Sequence, residues 1–345
     1  MVLAIEWVEL PQPTIRLIDQ TLLPAEEKYI DVRTVDVLVK AIKDLAVRGA
    51  PALGAAGALG VAMALYQAQR ESWDDTRLET EIDRIRDARP TAINLAWGVN
   101  QVRHLVGQGV EVVTEAAKKV VADDTTANKE LSRFGADWIL AKVGKEKVRV
   151  NTHCNTGALA TTAQGTAYGI IRELFERGAI EMVYADETRP LLQGARLTSW
   201  ELTQDGIPHV VQVDGAASST ILRGLVDVAI IGADRIAANG DSANKVGSVA
   251  LALACQRAGI PFIVAAPSST IDLDTSSGED INIELRDDAE VLELGGQRTA
   301  PREAKGYNPA FDVTPHDLIS AIVTERGIVE PAHESDPRLL ARVAD

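Results

Sequence analysis

The sequence predicts an α/β protein with two parts: a small, mixed and mostly helical N-terminal domain, and a Rossmann-like C-terminal domain built on a parallel sheet. A chain of 345 residues is long enough for two domains. Up to about residue 143 the apolar residues recur mainly at helical spacing, whereas beyond it short apolar runs alternate with helical segments. Such alternation predicts βαβ units with parallel strands. We therefore expect domains at residues 1–143 and 144–345.

The N-terminal domain is predicted to begin with short strands and to continue with helices. Its first thirty residues alternate loosely between apolar and polar and contain three prolines, which is typical of a small antiparallel cap. The predicted helices are one from Thr34, one with Pro51 in its first turn, and others at 76–86, 92–106 and 110–139. Residues 49–69 carry no charge, but they are rich in Ala and Gly. They predict a close-packed buried helix rather than a membrane span.

The C-terminal domain is predicted to contain at least five strands with helices between them. The strands are expected at 148–152, 182–185, 210–213, 226–231 and 262–265. The helices are expected at 161–177, 194–204, 218–224, 243–258 and 315–325.

Charge and cysteine content exclude several classes of function. The chain has 35 basic against 50 acidic residues, a formal net charge of −15, which argues against binding nucleic acid or an anionic membrane. A small phosphorylated substrate remains compatible, because one local pocket can be basic on an acidic protein. Two cysteines cannot form a disulfide framework, and the first residues lack the basic region of a signal peptide. We expect a cytoplasmic protein.

Reactive types of side chain follow four of the predicted strands. The segments after them are His153–Gly157, Asp186–Pro190, Asp214 and Gly232–Arg235. Because ligands of open α/β sheets bind beyond the carboxyl ends of the strands, we predict an active-site rim at this edge. Cys154 is the candidate for chemistry.

Each candidate also has a structural interpretation. Cys255 is expected in the core, Asp234 could cap a helix or pair with Arg235, and His153 could be an acid or base or a satisfied, partly buried histidine. Asp186, Glu187 and Arg189 could form a self-contained ion-pair loop. The remaining histidines lack metal-ligand spacing, so no zinc site is predicted.

Two segments are candidates for binding phosphate. Arg48 and Gly49 precede a predicted helix start, where backbone N–H groups favour an anion. Residues 239–245 offer a turn and Lys245, predicted to open another helix. Neither is a P-loop, and no strand is followed by a G-x-G-x-x-G motif, so no nucleotide cofactor is expected.

Long motifs along the chain resemble one family. The segments VRGAPALG, RPTAINLAWG, NTHCNTGALATT, YADETRPLLQGARLTSWEL, VAIIGADRIAANGDSANKVGS and YNPAFDVTP resemble the 5-methylthioribose-1-phosphate isomerases of methionine salvage, over about residues 33–331. The wider family includes ribose-1,5-bisphosphate isomerases and regulatory subunits of a translation-initiation exchange factor. The resemblance implies a homodimer with a Rossmann-like domain.

The resemblance also implies a reaction and roles for matching residues. The reaction is conversion of an aldose 1-phosphate into a 2-ketose 1-phosphate, without a redox cofactor or metal. Asp234 matches the acid/base aspartate, and Cys154 matches a catalytic or transition-state-stabilising cysteine. The positions matching substrate contacts are Arg48, Gly49, Ala50, Arg89, Gln193, Asn244 and Lys245.

These residue types suit the chemistry. A carboxyl group whose pKa is raised toward neutrality can move a proton between the ring oxygen and O1. Hydrogen then passes from C2 to C1 through an enolate or as a hydride, and Cys154 could be a base or a polarising donor. The sequence leaves both choices open.

Two segments depart from the family pattern. Residues 214–220 read DGAASST where a segment like DSMAGHLM is expected, and residues 283–287 read IELRD where IEERD is expected. The first lies on the predicted rim and affects substrate choice. Ribose 1,5-bisphosphate or 5-deoxyribose 1-phosphate is therefore an alternative substrate, and a non-catalytic sugar-phosphate-binding subunit is a third hypothesis.

Overall fold

The computed structural model describes residues 3–9, 11–89, 93–332 and 340–344, which form two compact units. Unit 1 contains the described residues up to Lys129 together with Thr156–Thr166, and unit 2 contains Glu130–Asn155 and the described residues from Ala167 onwards. The division falls inside helix α5 (Val110–Val143). The residues 143/144 at which the sequence places a domain boundary lie at the end of that helix, and that boundary stays a prediction.

Unit 1 has the predicted order of a strand cap followed by helices. Three short strands pair antiparallel in the order β1-β2-β3. Helix α4 begins at Ile93 in the described chain, and Ala92, where the prediction starts it, lies outside the described residues. The elements of unit 1 before α5 are β1 (Ile5–Val8), β2 (Thr14–Ile18), β3 (Tyr29–Val32), α1 (Val35–Lys43), α2 (Ala50–Glu71), α3 (Asp75–Arg86) and α4 (Ile93–Arg103).

Helix α2 is the centre of unit 1. By length and composition it could cross a membrane, with a mean hydropathy of 1.2, but 89% of its most apolar window is buried inside the fold. A Cβ on Gly98 of α4 would lie 1.9 Å from the carbonyl oxygen of Gly54. Because both positions lack side chains, α2 and α4 pack with their backbones in contact. The expected close-packed buried helix is confirmed.

Unit 2 is built on a seven-stranded sheet with the order β16-β15-β10-β7-β4-β5-β6. All neighbours are parallel except β15 and β16. The elements are β4 (Val148–Thr152), α6 (Ala167–Glu176), β5 (Ile180–Asp186), α7 (Ser199–Gln204), β6 (His209–Gln212), α8 (Asp214–Leu222), β7 (Val228–Ile231), β8 (Arg235–Ala237), β9 (Ser242–Lys245), α9 (Ser248–Ala258), β10 (Phe262–Ala265), β11 (Ile271–Asp272), α10 (Ala289–Leu292), β12 (Glu293–Leu294), β13 (Gln297–Arg298), β14 (Phe311–Thr314), β15 (Ala321–Thr324), β16 (Gly327–Val329) and α11 (Ala341–Ala344).

The strand order identifies the ligand-binding edge of this sheet. Counting only its parallel strands along the chain, the order is 3-2-1-4-5-6, that of a doubly wound Rossmann-type sheet. The order reverses between β4 and β7, which is the crevice where such sheets bind ligands. The α/β class and the Rossmann-like domain predicted from the sequence are confirmed.

Both faces of the sheet are covered at its centre, which explains the uninterrupted apolar runs of β7 and β10. Along β7, Val228 and Ile230 pack into one core with α6, α7 and the second half of α5. Ala229 and Ile231 point to the other face and pack with α8, α9 and α11.

A smaller four-stranded sheet has the order β11-β8-β9-β14.

The predicted helix at 315–325 is wrong, because Ala321–Thr324 forms β15, parallel to β10. Its β-branched apolar residues complete the large sheet and are fully buried there.

The predicted helix at 161–177 begins six residues later, at Ala167. Residues Thr156–Thr166 form a buried loop of unit 1. The Thr161 hydroxyl donates to the Gly157 carbonyl oxygen and accepts from the Gly165 N–H. These local side-chain hydrogen bonds satisfy backbone groups that a helix would otherwise use.

Candidate active site

Cys154 and Asp234 follow the two strands that flank the reversal of strand order. Thr152, the last residue of β4, pairs with Ile230 of β7, and its hydroxyl donates to the Ile230 carbonyl oxygen at 2.9 Å. Cys154 lies two residues beyond this pair on one strand, and Asp234 lies four residues beyond it on the other. The sequence prediction that both follow the carboxyl ends of parallel strands is confirmed.

Cys154 has an unusual backbone conformation. Its φ is +64°, in the left-handed region that non-glycine residues rarely adopt. Its N–H donates to Thr188 Oγ1 at 2.9 Å, and its carbonyl oxygen accepts from Thr198 Oγ1 at 2.6 Å. Cys255, in contrast, is fully buried in α9, where burial and the charge of Asp186 raise the pKa of its thiol to about 12. Cys255 is therefore a core residue, as predicted.

His153 is held on both ring nitrogens. Its Nδ1 lies 2.9 Å from Asp186 Oδ2 and its Nε2 lies 2.9 Å from the carbonyl oxygen of Val246. Burial lowers the pKa of His153, but the hydrogen bond and charge of Asp186 and the charge of Asp214 outweigh it, and the pKa is raised. The interpretation of a satisfied histidine is confirmed, although the residue is fully buried rather than partly buried.

The loop after β5 does not form the self-contained ion-pair loop that the sequence suggested. Asp186 pairs with His153, and the Arg189 guanidinium donates to main-chain carbonyl oxygens of Pro190 and Glu290. Asp214 accepts from the backbone N–H groups of the residues at 188 and 189, both at 2.7 Å. These charged groups therefore bind main-chain groups and His153, and these hydrogen bonds fix the conformation of the loop.

His153, Asp186 and Asp214 also lie close enough to hold a metal ion, with one ligand atom of each within 4.8 Å of the others. All three side chains already have hydrogen-bond partners. Asp186 Oδ1, for example, accepts from Asn151 Nδ2 and Gln212 Nε2, each at 2.9 Å. We therefore interpret the cluster as a hydrogen-bonded network.

Gln193 precedes a π-helical turn, Gly194–Thr198. Its side chain is 4% exposed, and its Oε1 has no hydrogen-bond partner among the described residues. A Cβ on Gly194 would lie 1.7 Å from the carbonyl oxygen of Asp186, so the turn is pressed directly against the end of β5. This amide oxygen is therefore available to accept a hydrogen bond.

Asn244 and Lys245 lie on strand β9, not in the predicted helix 243–258. Strand β9 pairs with β8 and β14, and Gly247 then adopts a φ of +113°, so α9 begins only at Ser248. Lys245 is buried, its Nζ donates to the Ala310 carbonyl oxygen at 2.8 Å, and it lies over the Phe311 ring. Pairing with distant strands overrode the local helical pattern.

The anion-binding candidates of unit 1 lie at the start of α2. Gly49 has a φ of +95°, and Pro51 is in the first turn of the helix, as predicted. A Cβ on Gly49 would lie 2.3 Å from the Ala160 carbonyl oxygen, so no larger residue fits. Arg48 is buried, and Arg89 lies after the end of α3, half-buried.

The site contains two functional candidates that the sequence did not reveal, Thr188 and Thr198. They lie 34 and 44 residues after Cys154 in the sequence, yet their hydroxyls form hydrogen bonds with its backbone. The motif DETRP contains Thr188 and was noted for its charges. No local pattern shows that a hydroxyl, rather than a charge, contacts the cysteine.

Comparison with known proteins shows where this chain belongs. The initiation factor 2 subunit family matches residues 46–331. The chain is 48% identical over 328 residues to a probable bifunctional methylthioribose-1-phosphate isomerase/methylthioribulose-1-phosphate dehydratase of Nocardia farcinica, covering 95% of this chain but only 59% of that protein. It is 45% identical over 334 residues to a methylthioribose-1-phosphate isomerase of Pelotomaculum thermopropionicum, covering 94% and 90%.

A solved structure agrees with these relatives. The crystal structure of 5-methylthioribose 1-phosphate isomerase from Pyrococcus horikoshii OT3 superposes with a TM-score of 0.87 at 37% identity, covering 99% of this chain and 94% of that one. With the family match over most of its length, this chain belongs to the initiation factor 2 subunit family, alongside the methylthioribose-1-phosphate isomerases.

Proposed function

We propose that this chain is an aldose–ketose isomerase that converts 5-methylthio-D-ribose 1-phosphate into 5-methylthio-D-ribulose 1-phosphate in methionine salvage. The observation that carries the proposal is the position of Cys154 and Asp234 beyond β4 and β7, on either side of the strand-order reversal. Relatives named for this activity match nearly the whole chain. A thiol and a carboxyl group at a ligand-binding crevice are the types that this proton chemistry needs.

In this proposal Asp234 acts as the acid and base of ring opening. Its carboxyl group protonates the ring oxygen as the bond from C1 to that oxygen breaks, which leaves an open oxocarbenium ion at C1 with the phosphate still on O1. The resulting carboxylate then takes the proton of the C2 hydroxyl as the 2-ketone forms. Cys154 assists the transfer of hydrogen from C2 to C1, as a base for an enolate route or as a polarising donor for a hydride shift. Neither route needs a redox cofactor or a metal.

Three further residues of unit 2 are proposed to contact the substrate. The unpartnered Oε1 of Gln193 would accept from a sugar hydroxyl, which resolves the cost of burying an unsatisfied amide. Asn244 and Lys245 would add an amide and a cation from β9. A cation held over an aromatic ring is fixed in place before the anion arrives.

Four residues of unit 1 are proposed to bind the phosphate or the sugar. Arg48 and Arg89 supply guanidinium groups, which match phosphate oxygens in pairs. Gly49 and Ala50 supply backbone at the start of α2, where the helix dipole favours an anion. Each of these roles can be tested separately, by substituting the residue concerned.

The assembly and location are also proposals. By resemblance we infer a cytoplasmic homodimer without nucleic-acid or membrane partners. Light scattering of the purified protein tests the dimer.

The substrate is the choice that experiment must settle. Residues 215–220, where the sequence departs from the family pattern, lie in α8 directly after Asp214. Purified protein should therefore be incubated with 5-methylthioribose 1-phosphate, ribose 1,5-bisphosphate and 5-deoxyribose 1-phosphate, each followed by phosphorus NMR. We expect the methylthio sugar to be converted fastest. Absence of a ketose product from all three would exclude an isomerase.

A further inference from the structure

Two threonine hydroxyls hold the peptide groups of Cys154. The Cys154 N–H donates to Thr188 Oγ1 at 2.9 Å, and its carbonyl oxygen accepts from Thr198 Oγ1 at 2.6 Å. We propose that Thr188 and Thr198 are positioning residues that fix the backbone of Cys154. This inference rests on the catalytic role proposed above for Cys154.

The conformation of Cys154 explains why its backbone needs these partners. Strand β4 ends at Thr152, and with a φ of +64° Cys154 turns away from the direction of the strand. Its N–H and carbonyl groups therefore leave the hydrogen-bond ladder of the sheet. Buried peptide groups must find other partners. The two hydroxyls supply one acceptor and one donor, which is the complement that a peptide backbone requires.

Thr188 is itself held in a defined orientation. Its φ is +63°, which is an outlier for a β-branched residue. Its N–H donates to Asp214 Oδ1 at 2.7 Å, and its hydroxyl donates to the Asp186 carbonyl oxygen at 3.0 Å. Because the hydroxyl proton is engaged there, the lone pairs of Oγ1 are available to accept from Cys154. Such strained residues persist where the surroundings over-determine them, typically at functional sites.

Thr198 reaches Cys154 from a different segment. It is the last residue of the π-helical turn, and its Oγ1 also accepts from Asn155 Nδ2 at 3.3 Å. Single π-helical turns are frequent at functional sites. The loop after β5 and the π-turn thus fix the two peptide groups of Cys154 from separate sides. The direction of its Cα–Cβ bond is set accordingly, and catalytic groups need placement to within about 0.5 Å.

Valine substitutions test the two hydroxyls, because valine keeps the shape of threonine and removes its hydrogen bonds. Thr188→Val leaves the Cys154 N–H without an acceptor, and Thr198→Val leaves the carbonyl oxygen without a donor. Thr188→Ser keeps the hydroxyl. Thr324→Val is the matched control, because the buried Thr324 hydroxyl also accepts from one backbone N–H (Arg326, 3.1 Å) and donates to one carbonyl oxygen (Gly327, 3.2 Å).

Two readouts separate positioning from stability. One is kcat and KM on 5-methylthioribose 1-phosphate. The other is the rate of Cys154 alkylation by iodoacetamide against pH, with the labelled peptide identified by mass spectrometry. Cys255 is fully buried and burial raises the pKa of its thiol to about 12, so it should not react in the folded protein. Alkylation of the folded protein therefore measures the reactivity of Cys154.

We expect Thr188→Val and Thr198→Val each to lower kcat by about tenfold to a hundredfold, with KM changing far less. Both should change the alkylation rate at a fixed pH by at least about threefold, because the environment of a thiol sets its reactivity. Thr188→Ser should stay within about threefold of wild type in both readouts, since the hydroxyl is kept. Thr324→Val should match wild type.

Several results would overturn the inference. It is wrong if both valine variants behave like Thr324→Val, or if Thr188→Ser loses as much activity as Thr188→Val. If circular dichroism shows that Thr188→Val does not fold, Thr198→Val decides by the same criteria. If the wild-type protein converts no substrate, the proposed function fails, yet the alkylation rates still decide whether the hydroxyls hold Cys154.

Discussion

His153 and Asp186 form a buried pair at the carboxyl ends of β4 and β5, with His153 Nδ1 2.9 Å from Asp186 Oδ2. The other ring nitrogen faces the carbonyl oxygen of Val246, which can only accept. Both ring nitrogens therefore face acceptors, and the ring is best satisfied as an imidazolium. The pair ties the end of β4, next to Cys154, to the loop that leads from β9 into α9.

This pair predicts a pH-dependent contribution to stability. Burial lowers the pKa of His153, but the hydrogen bond and charge of Asp186 outweigh it and the pKa is raised. The protonated ring therefore stabilises the fold fully below about pH 6.5, the value in unfolded chains, and this contribution is lost as pH rises through the folded pKa. In urea unfolding, the loss of stability in His153→Gln should be largest near pH 5.5 and should shrink toward pH 9.

The control for this experiment is His209→Gln. His209 Nδ1 faces the carbonyl oxygen of Ile207 at 2.9 Å, and no carboxylate of the described residues forms an ion pair with it. Its substitution should show a smaller change with pH. A destabilisation by His153→Gln that stays constant from pH 5.5 to 9 would contradict a charged pair.

The proposed chemistry predicts large effects at two residues. Asp234→Asn and Cys154→Ala should each lower kcat at least about a hundredfold, because each removes a group that transfers or polarises a proton. Circular dichroism should show both variants folded. Cys255→Ala is the control: it lies in the core, so it should reduce stability by about 1 kcal/mol and leave kcat near wild type. A near-normal rate in either active-site variant excludes that residue from the mechanism.

Much of the sheet could be predicted because its strands contain short runs of buried residues, and the central strands β7 and β10 are apolar on both faces. β4 and β10 were predicted at their observed bounds, since a short buried run between polar segments has few other interpretations. Strand β9 was not predicted, because the stretch from Ser242 to Lys245 has no strand pattern of its own. It becomes a strand by pairing with β14, whose paired residues lie 66 to 72 positions further along the chain. Long-range pairing of this kind leaves no local signal.

The candidate site shows the same division. Cys154 and Asp234 were found because parallel strands end at one edge, a rule that needs only the order of elements. The partners of Cys154 were not found, because a left-handed φ at a cysteine or a threonine has no signature in residue type. The sequence motifs contain both His153 and Asp186, but their hydrogen bond depends on the pairing of β4 with β5, which the motifs do not show.

Gly194 is predicted to be irreplaceable. A Cβ there would lie 1.7 Å from the Asp186 carbonyl oxygen and 2.8 Å from Thr188 Oγ1, and the first of these is backbone that cannot rotate away. Gly194→Ala should therefore lower the free energy of unfolding by about 2 kcal/mol or more, in the range of overpacked cores, and should lower kcat by displacing Thr188.

Gly215 in α8 offers the matched control for that substitution. Among the described residues, no atom outside its immediate neighbours lies within 4 Å of a Cβ placed on it. Gly215→Ala should be neutral or stabilise the protein by up to about 1 kcal/mol, because alanine favours a helix. Equal unfolding free energies for the two alanine variants would show that the π-turn can move away from β5.

Asp227 predicts a loss of stability in acid. Burial raises the pKa of its carboxyl, but hydrogen bonds from Arg149 and Lys145 prevail and lower it to about 2. This stabilisation is complete above about pH 4 and is lost as pH falls through the folded pKa. Asp227→Asn should lower the free energy of unfolding by about 2 kcal/mol at pH 7, and the difference should vanish toward pH 2.

The control for this substitution is Asp123→Asn. Asp123 pairs with Lys119 but is 62% exposed, so its substitution should change the free energy of unfolding by less than about 0.5 kcal/mol. Equal effects of the two substitutions in urea unfolding would mean that burial of the Asp227 pair does not strengthen it.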